Sequence, residues 1–379
     1  MKEINEPQKK KKYIYLEVIR IIAMFFVIFN HTGIEGFFLY YQQDMGSFSY
    51  WIYLFISIFC KFSVSIFFMI SGALMLGKEE SIKTLWKKRI SKMIVILIAV
   101  STFYYIVDLY TKSGVFNFEN YLSMLYTGKG QKYHLWYLNL YIAYLISLPF
   151  LRLMAKNLDK KSFSYLIGIA IMYIAILPIL ENLIFKSKYT LNGSIKASWL
   201  VTNIALYPLI GYYLHNKIEI NNIKRCIPLA LVANALCIII SCCLNYINTK
   251  GIVSITENQL QVFHSNFIIV NCITIFITIK YLFNNIKLKN FVKKLILSLG
   301  ECTFGVYLIH ILFMESKYSV YLLDKLHDLG INQMIVAILW CICTMIVSYL
   351  VVYIYKKIIK FIKYIVKNKD LTIKIKSIT

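Results

Sequence analysis

The chain has 379 residues, 59% of them hydrophobic, and a mean hydropathy of +0.63. A water-soluble domain is about half apolar, so this composition excludes an ordinary soluble enzyme. The net charge of +24 invites a nucleic-acid reading, yet the lysines concentrate in alternate segments between apolar runs. That is the positive-inside pattern; it places both termini in the cytoplasm and makes contact with anionic lipid, not nucleic acid, the expected role of the basicity.

Ten apolar segments are long enough to cross a bilayer, at about 13–33, 49–76, 92–110, 135–152, 162–180, 198–215, 226–246, 262–281, 293–314 and 331–355. Strand-period alternation is absent, so the prediction is an all-α polytopic membrane protein of about ten transmembrane helices. The first segment follows Lys9–Lys12 and has no small-residue cleavage site after it, so it reads as a retained helix. Glu17, Arg20 and His31 all lie on this helix. Eleven steps of about 100° separate Arg20 from His31, three turns plus roughly 20°, so the two share a face about 16 Å apart. Glu17, three residues before Arg20, is within pairing distance on the same stripe. The chain has only four arginines, and a buried arginine, histidine and acid on one stripe are costly in lipid and mark function. His31 has the chemistry of a general base toward a hydroxyl group.

The second segment carries Lys61, Ser65 and Gly72 within one sector. Lys61 is too deep to snorkel and is expected to meet protein, water or an anionic ligand; Gly72 permits close helix contact. Trp86-Lys87-Lys88-Arg89 stands at the cytoplasmic end of the third segment, where Lys88 and Arg89 suit phosphate oxygens. His134-Leu135-Trp136-Tyr137-Leu138 opens the fourth at the outer surface. Its aromatic residues fit an interfacial belt and equally a sugar-binding lip. Near the outer end of the ninth, Tyr307 and His310 follow Gly300-Glu301-Cys302-Thr303-Phe304-Gly305. His215, His264 and His327 read as loop or boundary residues. The nine cysteines show no zinc-ligand spacing; they read as small buried hydrophobes, and no metal is expected. Residues 1–355 read as one membrane domain, and 356–379 as a basic amphipathic tail along the inner leaflet.

In combination these segments resemble the integral-membrane acyltransferase-3 family over about 13–355. The resemblance rests on Leu16-Glu17-x-Ile19-Arg20-Ile21-Ile22-Ala23 with His31 following, on Phe67-Phe68-Met69-Ile70-Ser71-Gly72, on His134-Leu135-Trp136-Tyr137-Leu138 and on Phe304-Gly305-Val306-Tyr307-Leu308-Ile309-His310. Departures are Glu17 where the family often has Asp, Lys61 where Arg is common, and Ser65 in place of a frequent Pro. The resemblance implies a bacterial plasma-membrane enzyme that moves an acyl group, most often acetyl, from cytoplasmic acyl-CoA to a hydroxyl of an extracellular polysaccharide or lipid-linked sugar. It implies catalytic roles for His31, Arg20 and Glu17. Donor contacts are expected at Lys61, Lys88 and Arg89, and acceptor contacts at His134, Trp136, Tyr307 and His310. The rival expectation is a transporter or flippase for a cell-surface polymer precursor, which ten helices and intramembrane charges fit equally well. A sensor or amino-acid-binding membrane module is a more distant third.

Overall fold

A computed structural model describes residues 12–186, 188–193, 195, 199–251 and 257–376, with side chains described through Val366. Lys9–Lys11, parts of the loop near 187–198 and the far end of the basic tail lie outside the described residues. All regular structure among the described residues is helical: α1 (Ile14–Asn30), α2 (Phe48–Phe59), α3 (Phe62–Met75), α4 (Ile82–Thr111), α5 (Phe118–Thr127), α6 (Tyr133–Lys156), α7 (Lys160–Ile184), α8 (Leu206–Asn216), α9 (Ile220–Thr249), α10 (Ile268–Asn285), α11 (Asn290–Met314), α12 (Lys317–Asp328) and α13 (Gln333–Lys376). Eight stretches are long and apolar enough to cross a membrane by themselves, with Phe48–Met75 (α2 and α3) counting as one. The two other expected crossings are shorter: α1 has 17 residues and α8 has 11.

The helix α1 lies at the centre of the bundle, packed against α3, α10, α11 and α13. Its Leu16, Ile19, Ala23, Met24, Ile28 and Phe29 are buried from several directions, as a helix that is apolar all round requires. At the periphery α4 turns Val95, Ile98, Phe103 and Ile106 outward, where lipid tails would cover them. The helix α1 ends sooner than its apolar run predicts. Thr32 donates its hydroxyl to the Phe29 carbonyl at 2.7 Å and accepts the Phe37 N–H at 2.9 Å, and Gly33 adopts φ +57°. That left-handed turn stops the helix and leaves His31 at its C-terminal cap.

The 49–76 segment is not one straight helix but breaks at Cys60–Lys61. The backbone groups freed there find side-chain amides. Asn271 donates to the Phe59 carbonyl at 2.8 Å, and Asn30 donates to the Cys60 carbonyl at 3.3 Å and to Ser63 Oγ at 2.9 Å. Such substitution is what makes a broken helix tolerable at membrane depth. On the inner side of the break, α3 and α8 meet backbone to backbone. A Cβ at Gly72 would run into the Pro208 carbonyl, and one at Gly211 into that of Met69. The small-residue contact expected at Gly72 is therefore present, in a form only glycine allows.

The last helix, α13, runs from Gln333 to Lys376 without a break at Lys356. Its 44 residues rise about 66 Å at 1.5 Å each, roughly twice the hydrocarbon thickness. In the structure the basic tail thus continues the axis of the final crossing instead of turning along the leaflet.

Candidate functional site

The stripe on α1 opens onto an internal cavity of about 270 Å³. At its inner end stand Arg20, Gly300 and Glu301; at its outer end His31, His134 and Trp136; Phe67, Tyr137, Tyr141, Phe304 and Tyr307 wall it between. Five of the ten residues singled out in the sequence therefore line one space, contributed by α1, α6 and α11. The rise of α1 separates its two ends by about 16 Å.

At the inner end Arg20 Nη1 donates to Glu17 Oε2 at 2.6 Å, an i,i+3 pair in which both side chains are largely shielded. The carboxylate lies directly over the backbone of Gly300, where a Cβ would collide with it. The absence of a side chain at 300 is thus what lets Glu17 reach the position from which it orients Arg20. Next to it, Glu301 pairs with Lys12, and its backbone carbonyl accepts from Lys356 Nζ. These contacts tie the start of α1 and the end of the final crossing to the inner end of the cavity. The sequence reading quoted Glu301 only as part of the approach to Tyr307; its signal was an acid one residue beyond a glycine in an apolar helix.

At the outer end three imidazoles gather. The ring of His31 lies 5.1 Å from that of Tyr133 and 5.4 Å from that of His310, centroid to centroid, and His134 is 5.3 Å from His310. The Tyr307 hydroxyl donates to the His134 carbonyl at 2.8 Å, tying α11 to the start of α6. Just above, Lys132 pairs with Glu315 at 2.6 Å and with Asp108 at 3.5 Å. Burial opposes its charge, but the two carboxylates outweigh that and hold the Lys132 pKa above the ordinary lysine value. Among the described residues no group of three His, Cys, Asp or Glu side chains is placed to hold a metal ion.

The remaining candidates lie elsewhere. Lys61 stands at the helix break, donating to Gln261 Oε1 at 2.5 Å with its ammonium 4.6 Å from the centre of the Phe37 ring, and is not part of the cavity lining. Lys88 and Arg89 sit on a π-helical turn, Trp86–Ile90, at the cytoplasmic start of α4. Lys88 is exposed; Arg89 donates to Glu80 at 2.9 and 3.1 Å, and Arg152 holds the same carboxylate at 3.1 Å. Burial raises the Glu80 pKa, the two guanidinium groups lower it by more, and the balance is below the ordinary value. Two of the four arginines thus converge on one acid beneath the bundle, beside an open pocket lined by Lys78, Ser81 and Thr84. His310 is wholly buried and lies behind the cavity wall, not in it.

His264 corrects the sequence reading, which placed it at a loop or boundary. It is buried, with Nε2 3.1 Å from Ser57 Oγ and Nδ1 3.4 Å from Asn245 Nδ2. It belongs to a second polar cluster around the helix break. Asn245 and Asn271, two amides inside apolar segments, were the available signal.

The family model described as Acyltransferase domain (Acyl_transf_3) matches residues 13–354. No curated protein and no solved structure shows significant similarity to the chain.

Proposed function

As a member of the acyltransferase-3 family the chain is a multi-pass membrane acyltransferase, and we propose that it carries an acyl group, most simply acetyl, from cytoplasmic acyl-CoA to a hydroxyl of a surface polysaccharide or lipid-linked sugar at the bacterial plasma membrane. The observation that carries this reading is the shared cavity. Arg20 and His31, expected to divide the chemistry between them, line its two ends. Acyl-CoA is a polyphosphate that does not cross lipid, so it is supplied from the lysine-rich side, with Lys88 and Arg89 at the surface where its phosphates arrive. The thioester arm enters the cavity beside Arg20, whose guanidinium, oriented by Glu17, holds an anionic or carbonyl oxygen of the donor.

The acceptor hydroxyl meets His31 at the other end, against Trp136 and His134. The imidazole removes the hydroxyl proton as oxygen attacks the thioester carbon. The C–S bond breaks, and the CoA thiolate recovers a proton. General-base catalysis of this kind contributes about 10²–10⁴-fold.

The test is saturable binding of acetyl-CoA to the purified protein in nanodiscs, with Arg20→Ala beside it. Binding weakened at least tenfold by the substitution is the expected result. A well-folded sample that binds neither acetyl-CoA nor CoA would remove the donor from the proposal.

A further inference from the structure

We propose that His310 is the orienting partner of His31, an imidazole placed where many hydrolytic sites use a carboxylate; this rests on the reading of His31 as the general base. His310 Nδ1 lies 2.8 Å from the backbone oxygen of Tyr307, one turn back on α11. A carbonyl oxygen only accepts, so Nδ1 carries the hydrogen, and a neutral ring then leaves Nε2 as an acceptor. That Nε2 is fully buried and has no hydrogen-bond partner. A buried acceptor without a donor is costly, and such groups in native structures call for an explanation.

The donor nearest to hand is His31. Its ring centroid is 5.4 Å from that of His310 with 34° between the planes, a separation at which rotation of a ring brings one nitrogen of each into hydrogen-bonding range. No carboxylate pairs with His31 among the described residues; the one histidine that faces an acid is His327, 3.7 Å from Glu35. His31 therefore lacks the usual acidic orienter, while an acceptor of fixed tautomer stands beside it. The cavity completes the argument. His31 lines it and His310 does not, so His310 acts through His31 and not on the substrate. Accepting the N–H of His31 fixes which of its nitrogens faces the acceptor, and steadies the imidazolium formed when that nitrogen takes the hydroxyl proton. His134 is the competing donor, its ring 5.3 Å from His310 at 77°. It turns an edge and lies closer to perpendicular.

The experiment compares His310→Gln, which keeps an acceptor, with His310→Phe, which does not. It uses the full chain in nanodiscs and takes two readouts. The first is transfer of radiolabelled acetyl from acetyl-CoA to the membrane glycan fraction. The second is the rate at which diethyl pyrocarbonate carbethoxylates His31, followed by peptide mass spectrometry, which needs neither donor nor acceptor. We expect His310→Phe to lower kcat roughly 10- to 100-fold with the donor KM unchanged, and to slow carbethoxylation of His31 several-fold. We expect His310→Gln to recover most of both. Gln behaving no better than Phe, with thermal stability falling in parallel, would make His310 a packing residue and overturn the proposal. A Phe effect confined to KM and reproduced by His134→Phe would assign Nε2 to His134 and overturn it equally. A wild-type protein with no transfer, whose His31 reactivity still depends on His310, would refute the general-base reading while leaving the pairing of the two rings standing.

Discussion

Substitution of Gly300 by alanine probes the inner end of the site through a residue that has no side chain of its own. A Cβ there would lie 2.9 Å from Glu17 Cβ and 3.0 Å from Glu17 Cδ, and would overlap the carboxylate. The carboxylate could swing aside, but Glu17 Cβ cannot, so α1 and α11 must also move apart. Overpacking of this kind costs about 1–3 kcal/mol. Displacing the carboxylate also releases its charge-assisted bond to Arg20, worth about 1.5–3 kcal/mol. At about 1.36 kcal/mol per decade, full expression of that loss weakens donor binding about 10- to 150-fold. Acetyl-CoA titrations in nanodiscs, with thermal unfolding alongside, measure the two effects separately.

A double-mutant cycle with Glu17→Ala then isolates the route. Removing the carboxylate alone should weaken binding by a similar factor, and adding Gly300→Ala should weaken it little further. The Cβ–Cβ contact persists in the double variant, so part of the stability loss remains. If instead the two binding losses multiply, Gly300 does not act through Glu17, and the link drawn between that glycine and Arg20 is wrong.

His31→Ala should reduce acetyl transfer to the membrane glycan fraction by at least about 10²-fold at unchanged expression, the general-base share; near-normal transfer removes His31 from the mechanism. Gly72→Ala drives a Cβ into the Pro208 backbone, which cannot swing away, and should lower folded yield and melting temperature far more than Ala→Gly at an exposed site; an unchanged melt would mean α3 and α8 slide freely. The Glu80 carboxyl titrates below its ordinary value of 4.5 in the folded protein. Its stabilisation is therefore complete above about pH 4.5 and lost as pH falls through the lower folded value. The difference in melting temperature between wild type and Glu80→Gln should accordingly be largest near neutrality and shrink toward pH 3; a constant difference would show that the carboxyl does not titrate with folding.

The central stripe was legible because it is local. Glu17, Arg20 and His31 are related by helical period alone, and the structure keeps them on one helix lining or bordering one cavity. The convergence of His134, Trp136 and Tyr307 on that cavity follows the family resemblance, since nothing in their spacing relates α6 to α11. The break at Cys60–Lys61 was not legible. Neither proline nor glycine marks it, and the amides that satisfy it come from Asn30 and Asn271, far away in the chain. The same distance hid His264, whose partners Ser57 and Asn245 belong to two other helices. The placement of His310 behind His31 instead of in the acceptor lip depended on how α11 is rotated, which a one-residue reading of its outer end does not determine.

The break in the second crossing also bears on the electrostatics of its lysine. Each half-helix carries its own dipole, so the carbonyl end of α2, a partial negative charge, points at Cys60–Lys61 deep in the protein. Lys61 meets that end together with the Gln261 amide oxygen and the face of Phe37, three neutral groups that each offer electron density. A full positive charge is thereby accommodated without a carboxylate to cancel it. Two polar clusters of the bundle thus balance charge in opposite styles: the inner end of the cavity as a near-neutral ion pair, the helix break as a lone cation solvated by dipoles.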